Sequence, residues 1–123
     1  MNYLGIDYGE SKIGLAKASD EARVAIPFRT VLNTPDMMNE FERIILSEGI
    51  GHLVVGYPLT LGGTEGVATH MVDGFIKKLS MFSLPITKQD ERFSTTSSTD
   101  RRERDHPAAA TLILGTYLEA HPS

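Results

Sequence analysis

The sequence contains no cysteine, no surplus of basic residues and no long run of apolar residues. The absence of cysteine excludes disulfide bonds and thiolate metal sites. No apolar run approaches the roughly 20 residues that a bilayer-spanning helix needs, and no basic leader precedes an apolar stretch, so we expect a cytoplasmic protein without membrane partners. The chain has 12 basic and 16 acidic residues and a net charge of −4, which argues against coating of nucleic acid through bulk positive charge.

The remaining composition is that of an ordinary globular protein. Of the 123 residues, 41% are hydrophobic and 23% are charged, which is typical of a folded chain rather than of a disordered one. This length supports one hydrophobic core but not two separate lobes. We therefore expect one domain over residues 1–123.

The first third of the sequence predicts a β-meander. An apolar strand at 1–7 is followed by a turn at 7–12 and by a second strand at 13–18. Glycines at positions 5, 9 and 14 suit a tight connection and a close approach of the backbones. A third strand at 24–26 and 28–32 should lie at the edge of the sheet, because Pro27 cannot donate a hydrogen bond to a neighbouring strand.

The rest of the chain alternates between helices and strands. The first helix is indicated by Thr34 as its cap, Pro35 in its first turn and Gly49 at its end. The other predicted elements are a strand at 52–56, a helix at 67–79, a strand at 85–89 that ends on Asp90, Glu91 and Arg92, a hydroxyl-rich loop at 94–99 and a helix at 107–119. The order β-β-β-α-β-α-β-α predicts an α/β fold, a mixed five-stranded sheet with helices on its faces.

Acidic residues occur at the ends of three predicted elements: Asp7, the pair Asp90 and Glu91, and Asp105. Converging carboxylates repel one another unless a cation neutralises them. Oxygen ligands without cysteine favour Mg²⁺ or Mn²⁺, and such an ion can activate water and stabilise a phosphoryl transition state. Each acid also has a plainer interpretation, as a turn former, as an exposed strand end or as a helix cap.

Four ordered motifs resemble a known family. They are GIDYG at 5–9 with KIGLA at 12–16 and SD at 19–20, VVGYPL at 54–59 with GTE at 63–65, DERFST at 90–95, and AA at 109–110 with LIL at 112–114 and YL at 117–118. In these motifs the chain resembles the YqgF/RuvX family, bacterial proteins of RNase H-like fold connected with processing of pre-16S rRNA and with Holliday-junction resolution. Tyr57 stands where the family usually has leucine.

The resemblance implies a catalytic site. Asp7 corresponds to the metal-binding acid of the first strand, and Glu91, with Asp90 beside it, to the second acid. The family's third acid falls at His106, and Asp105 lies one position earlier. Asp105 is then a candidate ligand and His106 a candidate ligand or proton carrier, although a histidine at a helix start is also common on a plain surface. The implied catalytic residues are thus Asp7, Glu91, Asp105 and His106, and the implied metal ligands are Asp7, Asp90, Glu91 and Asp105.

The link from the third motif to the last helix is shorter than is common in the family and is rich in arginine. We expect the basic side chains near the acids to contact phosphates, since arginine binds phosphate well; the alternative is a solvated loop. The predicted contacts are Lys12, Arg92, Arg101, Arg102 and Arg104. No aromatic stacking platform is evident, and the candidates near this edge are Tyr8, Tyr57 and Phe93.

The resemblance predicts a metal-dependent endonuclease that hydrolyses phosphodiester bonds in structured nucleic acid, with 5′-end processing of pre-16S rRNA preferred. A Holliday-junction resolvase is the first alternative and would require a dimer, whereas we expect a monomer or a weak homodimer. The second alternative is a non-catalytic nucleic-acid-binding module whose displaced third acid has abolished the metal site. A two-lobed nucleotide-binding enzyme also has an Asp-x-Gly opening, but this chain has room for one lobe only.

Overall fold

The computed structural model describes residues 1–59, 66–92 and 105–122. Its elements are β1 (Asn2–Asp7), β2 (Lys12–Ser19), β3 (Ile26–Leu32), α1 (Met37–Glu48), β4 (Ile50–Leu59), α2 (Val67–Leu79), a 3₁₀ turn (Ser80–Phe82), β5 (Ile86–Arg92) and α3 (His106–Ala120). Among these residues no helix is both long and apolar enough to cross a bilayer.

The five strands form one mixed sheet in the order β3-β2-β1-β4-β5. β1 pairs antiparallel with β2 and parallel with β4, and β4 pairs parallel with β5. The carboxyl ends of β1, β4 and β5 therefore meet along one border of the sheet, called the carboxyl edge below. The sheet and its flanking helices confirm the predicted α/β architecture, with β3 at the border as Pro27 indicated.

Alternation along β1 divides the protein into two cores. Leu4 and Ile6 point into a core shared with α1 and α2, whereas Tyr3 points towards α3. Gly5 lies under α3, because a Cβ atom there would be 2.7 Å from the Cβ of Leu114. Asp7 continues this alternation and lies on the α3 side at the carboxyl edge.

The predicted start of α1 and the predicted lengths of β4 and β5 were wrong. α1 begins at Met37 with Asp36 at its N-cap, rather than at Pro35 with Thr34 as its cap, because the carbonyl of Thr34 accepts a hydrogen bond from the Met37 amide at 3.0 Å in a preceding turn. β4 and β5 are longer than predicted, and parallel pairing extends through Pro58–Glu91 to Leu59–Arg92. Glu91 consequently lies within a strand, where its neighbours along the chain face the other side of the sheet.

Candidate active site

A small cavity opens at the carboxyl edge, beside the ends of β1 and β4. Its volume is about 80 Å³, and three acidic residues line it: Asp7, Glu10 and Glu91. A binding crevice commonly forms at the carboxyl ends of two neighbouring strands when the connections that follow them run to opposite faces of the sheet. Asp7 and Glu91, which are 84 positions apart in the sequence (91 − 7), thus line one cavity.

Asp7 is the most deeply buried charged residue described, with 3% of its surface exposed. It is the last residue of β1, and its Oδ2 lies 2.8 Å from Nδ1 of His106, the first residue of α3. Burial of a carboxylate is unfavourable unless hydrogen bonds compensate for the lost water. His106 supplies such a hydrogen bond and fixes one oxygen of Asp7 in place.

His106 is seated between two glycines of the first motif. A Cβ atom on Gly14 would lie 2.0 Å from the carbonyl carbon of His106, and one on Gly9 would lie 2.7 Å from its Cε1. Both distances are far below van der Waals contact. The close backbone approach expected at these glycines is therefore the approach of α3 to the β1–β2 turn, which delivers His106 to Asp7.

Glu91 reaches the same cavity from β5. A Cβ atom on Gly56 would lie 2.6 Å from Glu91 Oε2 and 2.5 Å from Cδ1 of Ile113 in α3. Gly56 thus leaves room on this face of the sheet for both the Glu91 carboxylate and α3. Glu91 is half-buried.

The other two predicted acids lie elsewhere. Asp105 is exposed and caps α3, since its Oδ1 accepts a hydrogen bond from the amide of Ala108 at 3.1 Å. Asp90 is exposed, does not line the cavity and is level with Tyr57 in the strand pairing, so it lies on the sheet face opposite Glu91. The structure therefore brings together Asp7, Glu91 and His106, but leaves Asp90 and the capping oxygen of Asp105 outside this group.

Glu10 was not singled out from the sequence. It lies in the turn between β1 and β2, three residues after Asp7, and its side chain is exposed at the cavity. Unlike the predicted acids, Glu10 stands within a turn and not at the end of a strand or helix. A glutamate inside the GIDYG–KIGLA motif was nevertheless a usable signal, because the turn must run along the carboxyl edge.

The predicted phosphate contacts are only partly within the described residues. Lys12 begins β2 and is exposed, and Arg92 is the last residue of β5. Arg101, Arg102, Arg104 and Phe93 lie outside the described residues, so their roles stay predictions.

A polar network fastens the α2 wall of the cavity to the sheet. The hydroxyl of Tyr57 donates to Oδ2 of Asp73 at 2.9 Å, and Nζ of Lys88 donates to Oδ1 at 3.1 Å. Desolvation, the largest single effect, would raise the pKa of Asp73, but the hydrogen bonds from Lys88 and Tyr57 together with nearby positive charge hold the pKa below its usual value. Tyr57, which replaces the family's usual leucine, thus gains a partner in α2.

Comparisons with known proteins support the family suggested by the motifs. The family model for RuvX, described as a Holliday junction resolvase, matches residues 1–120. A protein of Orientia tsutsugamushi named "Putative pre-16S rRNA nuclease" is 36% identical over 94% of this chain and 82% of its own length. Proteins of the same name are 32% identical in Rickettsia canadensis, over 95% of this chain and 85% of theirs, and 30% identical in Desulfitobacterium hafniense, over 97% and 92%.

Solved structures establish the fold at much lower sequence identity. Thermus thermophilus RuvC in complex with a Holliday junction substrate has a TM-score of 0.57 at 11% identity and is matched over 98% of this chain and 94% of that one. The fowlpox virus Holliday junction resolvase has a TM-score of 0.58 at 11% identity, over 98% and 99%. The predicted RNase H-like fold is confirmed. Because the RuvX family model matches residues 1–120, the chain belongs to the RuvX family.

Proposed function

We propose that this chain is a nuclease that hydrolyses phosphodiester bonds in structured nucleic acid, with precursor 16S rRNA as its preferred substrate. One observation carries the proposal: Asp7 and Glu91, from β1 and β5, line a single cavity, and His106 contacts Asp7. The names of the bacterial relatives support the choice of substrate. An rRNA substrate would also locate the reaction in the cytoplasm.

The donor atoms of this cavity suit Mg²⁺ or Mn²⁺. Among residues 1–59, 66–92 and 105–122, no three acidic or histidine side chains are grouped closely enough to hold a metal ion by themselves. Mg²⁺, however, is commonly bound by one or two carboxylates together with phosphates of the substrate. Asp7 and Glu91 provide two carboxylates and no softer ligand, which fits that mode of binding.

The roles of the residues follow from their environments. A bound divalent ion would supply an activated water and would offset the charge that develops on the phosphate. Asp7 and Glu91 would hold this ion from two sides of the cavity. His106 acts as a positioning residue, because its Nδ1 restrains Oδ2 of Asp7. Glu10, Asp90 and Asp105 are candidates for a further ligand, with Asp105 acting through the oxygen that does not cap α3.

The test is cleavage of a structured RNA that carries the 5′ precursor segment of 16S rRNA, in Mg²⁺ or Mn²⁺. We expect Asp7→Asn and Glu91→Gln to lower the rate about 100-fold or more, the scale for loss of a preorganised charged group. Asp36→Asn is the matched control, since Asp36 is exposed at the start of α1 and makes no side-chain cap. Equal rates for wild type and Asp7→Asn would overturn the proposal and favour the non-catalytic binding module.

The further ligand can be identified in the same assay. Asparagine at position 105 can keep the hydrogen bond to Ala108 while it removes the charge. A rate loss in Asp105→Asn therefore reports ligation rather than a damaged helix cap. Glu10→Gln and Asp90→Asn complete the series, and the geometry favours Glu10 over Asp90 because only Glu10 lines the cavity.

Junction resolution is the second candidate, favoured by the description of the family model and by the likeness to resolvases. A resolvase must cut two strands symmetrically and should act as a dimer. A four-way DNA junction in the same assay, with the mass in solution, separates the two candidates. Symmetric cleavage by a dimer at a rate above that for RNA would replace the rRNA proposal.

A further inference from the structure

The cavity at the carboxyl edge has two unlike walls. One wall is acidic and is the site proposed above. The other consists of apolar side chains from the β1 end and α2: Tyr8, Ala68, Met71 and Val72. Metal binding and hydrolysis require only the acidic wall, so the apolar wall is available for another part of the substrate.

Tyr8 is held rigidly at the junction of the two walls. It directly follows Asp7, so the Cα atoms of the two residues are about 3.8 Å apart. Its ring packs against the buried ring of Phe75 with the centroids 4.6 Å apart, and Phe75 packs in turn on Phe41 at 5.8 Å. Tyr8 is half-buried, and it lines the cavity. This arrangement makes Tyr8 a fixed aromatic surface beside the acid.

Charge and size limit what the apolar wall can bind. No basic side chain of the described residues lines the cavity, and its three acids repel a phosphate that is not neutralised. The volume of about 80 Å³ is below the roughly 300–1,000 Å³ of pockets that enclose a whole ligand. The wall therefore suits one neutral, flat group that belongs to a larger molecule, such as the ring of a nucleobase.

We propose that the apolar wall formed by Tyr8 and Met71 binds the unpaired base of the nucleotide next to the scissile phosphate. This inference rests on the proposed nuclease function and adds a substrate class: strands that are single at the cleavage point or release a base there. A paired base would first have to leave its stack, which costs free energy. Tyr8, one of three aromatic candidates near this edge, would provide the stacking surface that the sequence did not reveal.

The test uses RNA binding in the presence of Ca²⁺, so that affinity is measured without cleavage. Single-stranded oligoribonucleotides carry either an intact nucleotide or an abasic ribose at each position in turn, and 2-aminopurine fluorescence reports stacking. We expect removal of the critical base to weaken binding to the wild type about tenfold, in the range for base stacking on an aromatic ring. Tyr8→Leu should bind the intact strand as weakly as the wild type binds the abasic one. Removal of the base should not weaken binding to Tyr8→Leu any further.

Control variants separate stacking from folding. Tyr8→Phe keeps the ring and should behave as wild type, as should Tyr117→Leu, which removes a half-buried aromatic remote from the cavity. If Tyr8→Leu does not fold, Met71→Gln replaces it, and its base dependence should fall several-fold. A tenfold loss on base removal that persists in Tyr8→Leu, or no base dependence in the wild type, would overturn the inference. Base-dependent binding in Ca²⁺ by a protein that cleaves no RNA in Mg²⁺ or Mn²⁺ would instead refute only the nuclease proposal.

Discussion

The two ends of α3 meet the sheet in opposite ways. At the carboxyl edge, the first residue of α3 contacts a buried acid and a cavity remains open. At the opposite edge, where β1, β4 and β5 begin, the last turn of α3 is closed by a cluster of rings: Tyr3, His52, Tyr117 and His121. One end leaves acids facing a cavity, whereas at the other end packed rings hold the last turn of α3 against the sheet. Sites that act on a substrate commonly give up stability in this way.

Arg23 completes the closed end. Its guanidinium donates to the carbonyl of Leu118 at 3.4 Å, to the carbonyl of His121, and to Oδ1 of Asp20 at 3.3 Å. A cation is favourable at the carbonyl end of a helix. Arg23 has φ of 53°, a conformation that is unfavourable for a residue other than glycine by about 1 kcal/mol or more. Its contacts with α3 offset this strain.

The largest effect should come from Gly14→Ala. The added Cβ would meet backbone atoms of His106 at 2.0 and 2.1 Å, so α3 must move away from β2. We expect a loss of about 3 kcal/mol in the free energy of unfolding, measured in urea, and loss of cleavage. Gly74→Ala is the matched control, because nothing lies within 4 Å of that position in α2 and alanine should stabilise the helix by about 0.5–1 kcal/mol. Equal stability of the two variants would contradict the close seating of α3.

Arg23→Ala should have the next largest effect, a loss of about 2 kcal/mol, because carbonyls of α3 lose their partner and the strained φ stays. Arg23→Gly should be about 1 kcal/mol less damaging, since glycine adopts positive φ freely. Arg43→Ala, at an exposed position of α1, provides the control. If Arg23→Gly and Arg23→Ala lower the free energy of unfolding equally, backbone strain at this position is unimportant.

Asp7→Asn should change stability in the other direction. Asparagine avoids burial of a charge and can still accept a hydrogen bond from His106, so we expect a gain of about 1 kcal/mol with cleavage abolished. Thermal unfolding of the variant beside wild type, without divalent ions, measures this. A clear loss of stability would mean that Asp7 is part of the framework, as Arg23 is, and would remove the contrast between the two edges.

The smallest effect concerns His52. Burial, followed by repulsion from His121, lowers its pKa below the ordinary 6.5. The unfolded chain therefore binds a proton more readily than the folded one, so stability is complete above pH 6.5 and falls as the pH drops through this value towards the folded pKa. We expect this change in the free energy of unfolding to be less than about 1 kcal/mol, because His52 is only half-buried. Unfolding at about pH 8 and about pH 5 should differ less in His52→Gln than in wild type, whereas His70→Gln should retain the difference.

The sequence was sufficient to predict the order of the elements and the mixed five-stranded sheet with β3 at its border. It also singled out Asp7, Glu91, Asp105 and His106 as candidate site residues. It could not assign sheet faces near Glu91, because the face depends on how far β5 extends, and an extension by three residues puts Asp90 and Glu91 inside the strand. It left Asp105 and His106 as alternatives, and the cap geometry separates them: Asp105 caps α3, and His106 contacts Asp7. The ring cluster at the opposite edge could not be predicted, because its members are far apart in the sequence and form no motif.

The order of the elements along the chain also determines when the site can form during synthesis. β1, which carries Asp7, is synthesised before α3, the helix that packs across β1 and β2. Domains form their non-local contacts only after both partners have been synthesised. A nascent chain would therefore hold Asp7 without His106 until α3 had been synthesised, and the proposed activity would begin only after that.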